Sequence, residues 1–387
     1  PVSLTWEKST TYDLGLDLDF FNNRLSVSGD YYRRYTTDMY TASVALPAVY
    51  GTGSPKGNNA EMKTDGWELS LSWRDSFKLG GKPFDYSIKA MVWDSKSVIT
   101  KYVNDTGSLG TVKGFIENGG SPSSYYVGMT VGEIWGYTVA GLFRDQADID
   151  SSAIHDFVQA SDKVTRPGQV KIADLDGNGF IDPGNFAVDD HGDLRIIGNQ
   201  SPRYRYGVNL SARWNGIGLS VFLQGVGARD WYPGSDAGMF WGKYGRPFFA
   251  LIPSIHNYTD DMYSAERNNW DTAYWPRMTT YQSNGTKNWT RLLEIPNTRY
   301  IQSAAYLRVK NIQLDYSFPK HICSAIRLQG LKIYVNAENL FTFTPLHKYA
   351  PNFDPEGLSY DSDFASAADG YTYPILKSVT VGVNITF

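Results

Sequence analysis

The sequence predicts an all-β fold, a transmembrane antiparallel β-barrel with long extracellular loops. Apolar and polar residues alternate with a period of two in about nine segments, which is typical of strands with one apolar face. Short and long connections between these segments also alternate. The chain contains no run of about 18 apolar residues, so a protein that crosses the membrane with helices is not expected.

The last ten residues, Ser378–Phe387, alternate without interruption. Ten residues at roughly 3.3 Å each, tilted by about 45°, are long enough to cross the apolar part of a bilayer. This segment is therefore predicted to be a strand of a barrel wall. Its apolar face consists of Val379, Val381, Val383, Ile385 and Phe387.

Eight earlier segments show the same alternation. One pair is joined by Asn215-Gly216, which is the strongest hairpin-turn dipeptide. The eight segments are Tyr12 to Phe20, Leu25 to Tyr31, Trp67 to Trp73, Tyr86 to Val92, Val208 to Trp214, Leu219 to Leu223, Ile312 to Phe318 and Leu331 to Val335.

The connections between the predicted strands differ greatly in length. Outer-membrane barrels have short periplasmic turns and long outer loops, so residues 101–203 and 229–303 are predicted to be long extracellular loops. The polar face of each strand would then line a wet lumen. A soluble sandwich would need very long structureless loops and would bury unpartnered aspartates. Short links lie near 21–23, 74–83, 215–216 and 319–327, and long links at about 39–60, 101–203, 229–303 and 343–373.

Composition excludes several classes of function. The net charge of −4 provides no basic surface for nucleic acid. Cys323 is the only cysteine, which excludes an internal disulfide and a zinc site built from cysteines. The five histidines are scattered, and neither a nucleophile elbow nor a phosphate-binding glycine loop is present. We therefore expect no enzymatic activity.

The segment Asp174–Asp182 has the pattern of a calcium-binding loop. Counted from Asp174, a glycine at position 6 permits a sharp turn and an apolar residue follows at position 8. Position 12 is Asn185 instead of the usual bidentate glutamate, although Asp189 or Asp190 could replace it. We expect a structural Ca²⁺; the alternative is a glycine-rich turn without an ion. The expected ligands are Asp174, Asp176, Asn178, the carbonyl of Phe180, and Asp182.

Aromatic residues are concentrated in the predicted loop 229–303. Such rings stack on the apolar faces of sugars, and Arg246 could donate hydrogen bonds to hydroxyl groups. The alternative interpretation is that the rings form the core of the loop or an interface with a partner. The candidate substrate residues are Trp231, Tyr232, Trp241, Tyr244 and Arg246.

Several segments, taken in order along the chain, resemble the SusC/RagA family of TonB-dependent outer-membrane transporters. The resemblance covers nearly the whole chain. The segments include Leu14-Gly-Leu-Asp-Leu, Phe21-Asn-Asn-Arg-Leu-Ser, Val131-Gly-Glu-Ile-Trp-Gly-Tyr, Ile197-Gly-Asn-Gln-Ser-Pro and Asn336-Ala-Glu-Asn-Leu-Phe-Thr.

The resemblance implies a barrel of 22 strands around a plug, of which residues 1–387 would be the C-terminal portion with about nine strands. The plug and the N-terminal part that contacts the TonB complex would then be missing. The implied partners are a SusD-like surface lipoprotein, an oligosaccharide or peptide ligand, and outer-membrane lipid. The alternative is a TonB-dependent receptor for a siderophore or another metal chelate, without a lipoprotein lid.

Overall fold

The computed structural model describes residues 4–42, 49, 51, 56–111, 114–115, 120–154, 165–233, 237, 240, 261–277, 295–358 and 375–387. Within these residues no helix is both long and apolar enough to cross a membrane. The strands are β1 (Lys8–Phe20), β2 (Leu25–Ala42), β3 (Lys56–Leu79), β4 (Lys82–Lys101), β5 (Glu133–Tyr137), β6 (Val139–Leu142), β7 (Val170–Ile172), β8 (Leu194–Asn199), β9 (Arg203–Trp214), β10 (Ile217–Ala228), β11 (Asp230–Trp231), β12 (Gln302–Ser303), β13 (Tyr306–Ser317), β14 (Gly330–Phe343) and β15 (Ser378–Thr386).

Nine of these strands form one antiparallel sheet, which we call the wall. Their order is β1-β2-β3-β4-β9-β10-β13-β14-β15, so each wall strand pairs with the next wall strand along the chain. The sheet is open within the described residues, with β1 and β15 at its two edges. The predicted all-β barrel architecture is confirmed, and each of the nine predicted segments lies on one of the nine strands.

The two faces of the wall have different chemistry. Residues that are paired across strands lie on the same face, and the pairs Leu14–Tyr31 and Tyr31–Trp67 therefore continue one apolar row. Many residues of this face are open to the surroundings, and Val381 is 74% exposed. The opposite face is polar near the short turns, where Ser87 and Gln313 line a depression of about 760 Å³. An apolar outer face and a polar inner face are what a membrane barrel requires.

Short and long connections alternate along the wall as the sequence predicts. The turn between β9 and β10 is Asn215-Gly216, and both residues have positive φ angles, 50° and 86°. The links near 74–83 and 39–60 are shorter than expected, because β2 has 18 residues and β3 has 24. The strict alternation of apolar residues covers only the lipid-facing part of these strands. The polar ends of these strands continue past the lipid-facing part and lack the alternation, so the sequence predicts them as loops.

The two long segments between β4 and β9 and between β10 and β13 pack around one hydrophobic core, and we call them together the loop region. Three small sheets, β5–β8, β6–β7 and β11–β12, organise it. The segments are bonded to each other, since Asn199 N donates to Asp230 Oδ2 at 2.9 Å. The loop-region core includes Trp135, Tyr137, Leu142, Ile172, Ile181, Leu194, Trp231, Tyr232, Phe240, Trp275 and Tyr300.

The helical spacing of Ile154, Phe157 and Val158 in the sequence predicts a short helix within residues 143–170, and the structure contains the helix Gln146–Asp150 in this range. Asp145 caps its first turn by accepting a hydrogen bond from Asp148 N at 2.8 Å. The helix does not include Ile154, whose spacing with Phe157 and Val158 suggested it, because Ile154 forms a bridge with Phe180. Phe157 and Val158 lie outside the described residues.

Candidate functional site

The acidic segment Asp174–Asp182 folds into a tight loop through hydrogen bonds from backbone N–H groups to side-chain oxygens. The carboxylate of Asp174 accepts from Gly177 N at 2.7 Å and from Gly179 N at 2.9 Å. Asp176 Oδ1 accepts from Asn178 N at 3.0 Å. Gly177 and Gly179 have positive φ angles of 76° and 83°, where a side chain would be strained. The loop therefore curls around its own oxygen atoms.

The loop is anchored on its C-terminal side. Ile181, the apolar residue at position 8, is fully buried in the loop-region core. Its N–H donates to Ile154 O at 2.7 Å, and Ile154 N donates to Gly179 O at 2.9 Å. These contacts fix the loop on a packed support instead of leaving it as a free surface turn.

Oxygen atoms of Asp174, Asp176 and Asp193 lie within 4.8 Å of one another. A single Ca²⁺ with oxygen ligands at about 2.3–2.6 Å could contact all three, so this spacing fits one ion. Asp193 is fully buried. Its Oδ1 accepts from Leu175 N at 2.6 Å and its Oδ2 from Asp182 N at 3.2 Å, which fixes the carboxylate beside the loop.

Two other predicted ligands, Asn178 and Asp182, are hydrogen-bonded to this cluster, but their side chains are not among the three that converge. Asn178 Nδ2 donates to Asp176 Oδ2 at 3.1 Å and to Asp182 Oδ2 at 3.2 Å. Asp182 Oδ1 accepts from Gly184 N at 2.7 Å. The Phe180 side chain is 45% exposed, and Phe180 N donates to Asn178 Oδ1 at 2.7 Å.

Asp193 is the residue that the sequence motif did not reveal. Asp189 and Asp190 are the sequence-predicted replacements for position 12; Asp189 is exposed, and Asp190 accepts a hydrogen bond from Asn185 Nδ2. The chain instead turns back, and Asp193 N donates to Asp182 O at 2.9 Å. Motif spacing contains no signal for a ligand this far along the chain, because its position depends on the intervening turn.

The electrostatics of the cluster favour a cation. Burial, together with the nearby carboxylates of Asp176 and Asp174, raises the pKa of Asp193. Hydrogen bonds from the backbone, first of all from Gly179 N, lower the pKa of Asp174. Tyr137 is fully buried, and its hydroxyl has no hydrogen-bond partner among the described residues. Burial, and then the charges of Asp193 and Asp182, raise the pKa of Tyr137. Carboxylate-rich oxygen sites of this kind suit a hard divalent ion.

The predicted substrate aromatics have a different environment. Trp231 and Tyr232 are fully buried. The Trp231 ring lies 4.9 Å from the ring of Phe353, and Tyr232 Oη accepts from Asn297 Nδ2 at 2.8 Å. Neither ring has a face open to a ligand in this structure, because both rings are packed in the hydrophobic core of the loop region. Trp241, Tyr244 and Arg246 lie outside the described residues.

A second feature of the loop region was not predicted. A cavity of about 420 Å³ lies between the two long segments and is lined by Tyr125, Met129, Gln200 and Arg229, among others. At its edge the buried Glu133 accepts hydrogen bonds from Tyr126 Oη and from Thr130 N. Its lining comes from residues far apart in the chain, so no local pattern could predict it.

A third connection, after β14, is fastened to the wall by buried charges. Arg308 on β13 is 3% exposed and pairs with Asp354 at 2.6 Å and with Glu356 at 3.2 Å. Lys310 also pairs with Glu356, at 2.9 Å. This network connects the loop segment 344–358 to strand β13 of the wall.

The fold thus defines a class of protein: a membrane β-barrel wall whose long connections pack into a structured region at one end. Residues 1–189 match the family model "TonB dependent receptor-like, beta-barrel". TonB-dependent receptor P3 of Formosa agariphila is 26% identical over 393 residues, which covers 100% of this chain and 34% of the relative. TonB-dependent receptor SusC of Bacteroides thetaiotaomicron is 24% identical over 391 residues, which covers 100% of this chain and 32% of the relative.

Solved structures have the same fold. The structure of the RagAB peptide transporter superimposes with a TM-score of 0.65 and 19% identity, and it covers 99% of this chain and 36% of that one. The chain spans about a third of the length of the curated relatives that it matches. These matches confirm the resemblance to SusC/RagA-like TonB-dependent receptors and, with it, the location in the outer membrane.

Proposed function

We propose that the chain provides part of the wall and the outer loops of a TonB-dependent nutrient importer of the SusC type, and not an enzyme. The observation that carries this proposal is the wall itself, with an exposed apolar face, a polar inner face and long connections folded at one end. A channel for a polar solute needs a polar inner face, while the apolar face contacts lipid.

The proposed cargo is an oligosaccharide or a peptide, captured between the outer loops and a SusD-like lipoprotein. Two names support this: one relative is called SusC, and the RagAB neighbours are described as a peptide transporter. In the loop region, the cavity beside Glu133 and Arg229 offers space and polar groups for such a ligand. Transport would depend on the TonB complex acting on a plug.

Two experiments test the proposal. The tagged full-length protein is purified from native membranes, and a SusD-like lipoprotein is expected to copurify in a stable complex. A deletion strain is then grown on panels of glycans and peptides and is expected to lose growth on one class. Purification without any lipoprotein, together with loss of uptake of a metal chelate, would instead favour the siderophore-receptor alternative.

We also propose that the acidic loop binds Ca²⁺ as a structural ion, with Asp174, Asp176 and Asp193 as its carboxylate ligands. The three converging carboxylate oxygens support this assignment. Bound Ca²⁺ would balance the charge of the cluster and hold the loop against the core. No step of transport is assigned to the ion.

The calcium proposal is tested by titrating the metal-free full-length protein with Ca²⁺ in a calorimeter. Asp193→Asn is expected to weaken binding about tenfold or more, because one charged ligand is lost. The matched control is Asp189→Asn, an exposed neighbour, which should leave the affinity unchanged. Equal affinity in both variants would exclude Asp193 as a ligand. No binding at millimolar Ca²⁺ in the wild type would show that the segment is a turn without an ion.

A further inference from the structure

The lipid-facing surface of the wall carries a group of basic residues on β2, β3 and β4, close to the ends of these strands that are remote from the short turns. Cross-strand pairing places Arg33 opposite Asp65, and Asp65 opposite Lys96. Lys63 lies on the same face, two residues from Asp65, with its Nζ 3.3 Å from Asp65 Oδ2. We call Arg33, Lys63 and Lys96 the outer basic cluster.

The position of the cluster relative to the apolar belt follows from the register. Tyr31 and Trp67 are paired on the same face and lie between the apolar belt and the cluster. Tyr31 Oη donates to Asp65 Oδ1 at 3.3 Å. At the other end of β3, Phe77 contacts Phe84, with ring centroids 5.0 Å apart. From Phe77 to Trp67 the strand rises by roughly 33 Å, which becomes about 25 Å after tilting, the height of the apolar band between two aromatic girdles.

The outer basic cluster therefore lies within the outer aromatic girdle, where Arg33 pairs with Tyr12 and Lys63 with Tyr35, at the level of lipid headgroups. The apolar belt below it is continuous, since Leu69 pairs with Val92 and Val27 with Leu71. A ligand at this level on the outer face is a membrane lipid and not a solute in the lumen.

The cluster has unbalanced positive charge. Arg33 Nε contacts Asp65 Oδ1 at 2.5 Å, so one cation of the three is compensated. Three cations and one carboxylate leave two net positive charges. Lys96 is exposed, and among the described residues no ion pair of the wall includes it. The adjacent pair of Asp94 and Arg203 is neutral, with 2.6 Å between Asp94 Oδ1 and Arg203 Nε.

Strands β13 and β14, near the opposite edge of the wall, provide a contrast. On β13 and β14, the outward residues near the corresponding strand ends are apolar, with the pairs Leu307–Phe343 and Val309–Phe341. Phe341 and Phe343 are well exposed. At these outward positions β13 and β14 thus carry apolar residues where β2–β4 carry basic ones.

We propose that the outer basic cluster binds the phosphate of an anionic membrane lipid. Arg33 is held in place by Asp65, while Lys63 and Lys96 flank that pair and can both reach one anionic headgroup. Ammonium groups bind phosphate as compact point charges, and each basic residue at a membrane surface strengthens attachment to anionic lipid. The acyl chains would lie along the apolar face below.

The test uses the full-length protein in neutral detergent, titrated with dioctanoyl phosphatidic acid and followed by native mass spectrometry. The double variant Lys63→Gln/Lys96→Gln is expected to bind at least about tenfold more weakly, because two cationic groups are removed. The matched control Lys89→Gln removes a lysine from the opposite face of β4 and should bind like the wild type. Lys63→Arg/Lys96→Arg keeps both charges and should retain most of the binding.

Two further arms separate the source of the phosphate. Inorganic phosphate at the same concentration is expected not to compete, and dioctanoyl glycerol, which lacks the phosphate, is expected not to bind. Competition by inorganic phosphate would show a free-anion site and overturn the lipid assignment. Unchanged binding in the double glutamine variant, or an equal loss in Lys89→Gln, would overturn the role of the cluster.

Discussion

The wall and the loop region use similar apolar residues in opposite ways. On the wall, Val381 is 74% exposed, whereas Trp231 in the loop region is 0% exposed. The difference lies in the surroundings, because lipid covers the wall and water surrounds the loops. An exposed apolar row on a sheet thus marks a membrane surface, while the same residues in a long aqueous connection mark a hydrophobic core.

Polar side chains also have different surroundings in the two regions. The inner face of the wall leaves polar side chains beside an open depression of about 760 Å³. The loop region buries Asn297 and Gln302 and gives them partners, with Asn297 Nδ2 donating to Tyr232 Oη at 2.8 Å and Gln302 Nε2 to Tyr274 Oη at 2.9 Å. Buried amides need such partners, so the loop region depends on non-local contacts more than the wall does.

The largest expected effect comes from truncating a core residue of the loop region. Trp231→Ala in the full-length protein should destabilise the loop region by about 3–5 kcal/mol, because a large buried side chain leaves a cavity. Hydrogen exchange of residues 130–200 should become faster. Val381→Ala is the matched truncation on the wall, and its effect on the same amides should be negligible. Equal exchange in both variants would mean that Trp231 does not stabilise the loop region.

The second-largest effect is expected from removing the buried charge that holds the third connection, residues 344–358, on the wall. Arg308→Met leaves Asp354 and Glu356 partly buried without their main cation, at a cost of about 3 kcal/mol. The segment 344–358 should become sensitive to protease, while the wall stays intact. Lys310→Met is the control, because Lys310 is more exposed and Glu356 keeps Arg308 as its partner. Protease resistance of Arg308→Met equal to that of the wild type would show that the ion pairs do not fasten this segment.

The sequence predicts the wall well and the loop region poorly for the same physical reason. Strand pairing in the wall repeats a local pattern, so Tyr12 to Phe20 and Ser378–Phe387 are recognisable from alternation alone. The contact of Asp193 with the acidic loop, and the burial of Trp231, depend on how distant segments pack. The motif beginning at Asp174 is local and therefore visible, whereas its buried neighbour Asp193 is not.

Introducing a charge on β15 should have an intermediate effect on stability, and the size of this effect should depend on which face of the wall carries the charge. Val381→Arg should destabilise the wall by about 2–4 kcal/mol if the residue lies near the bilayer midplane. Thr380→Arg, one residue earlier, points to the polar face and should cost much less. Urea unfolding of the full-length protein in lipid vesicles measures both. Similar losses for the two variants would contradict the assignment of the faces.

The smallest expected effect is a pH dependence confined to the loop region. Asp230 joins β11 to β8 by accepting from Asn199 N, and burial raises its pKa. A carboxyl whose folded pKa is raised stabilises the fold fully below its unfolded pKa of about 3.9 and loses that contribution as the pH rises through the folded value. The wild type should therefore lose loop stability as the pH rises from about 4, whereas Asp230→Asn should remove this dependence. Its amide oxygen can still accept from Asn199 N, so parallel pH curves for the two proteins would exclude Asp230 as the titrating group.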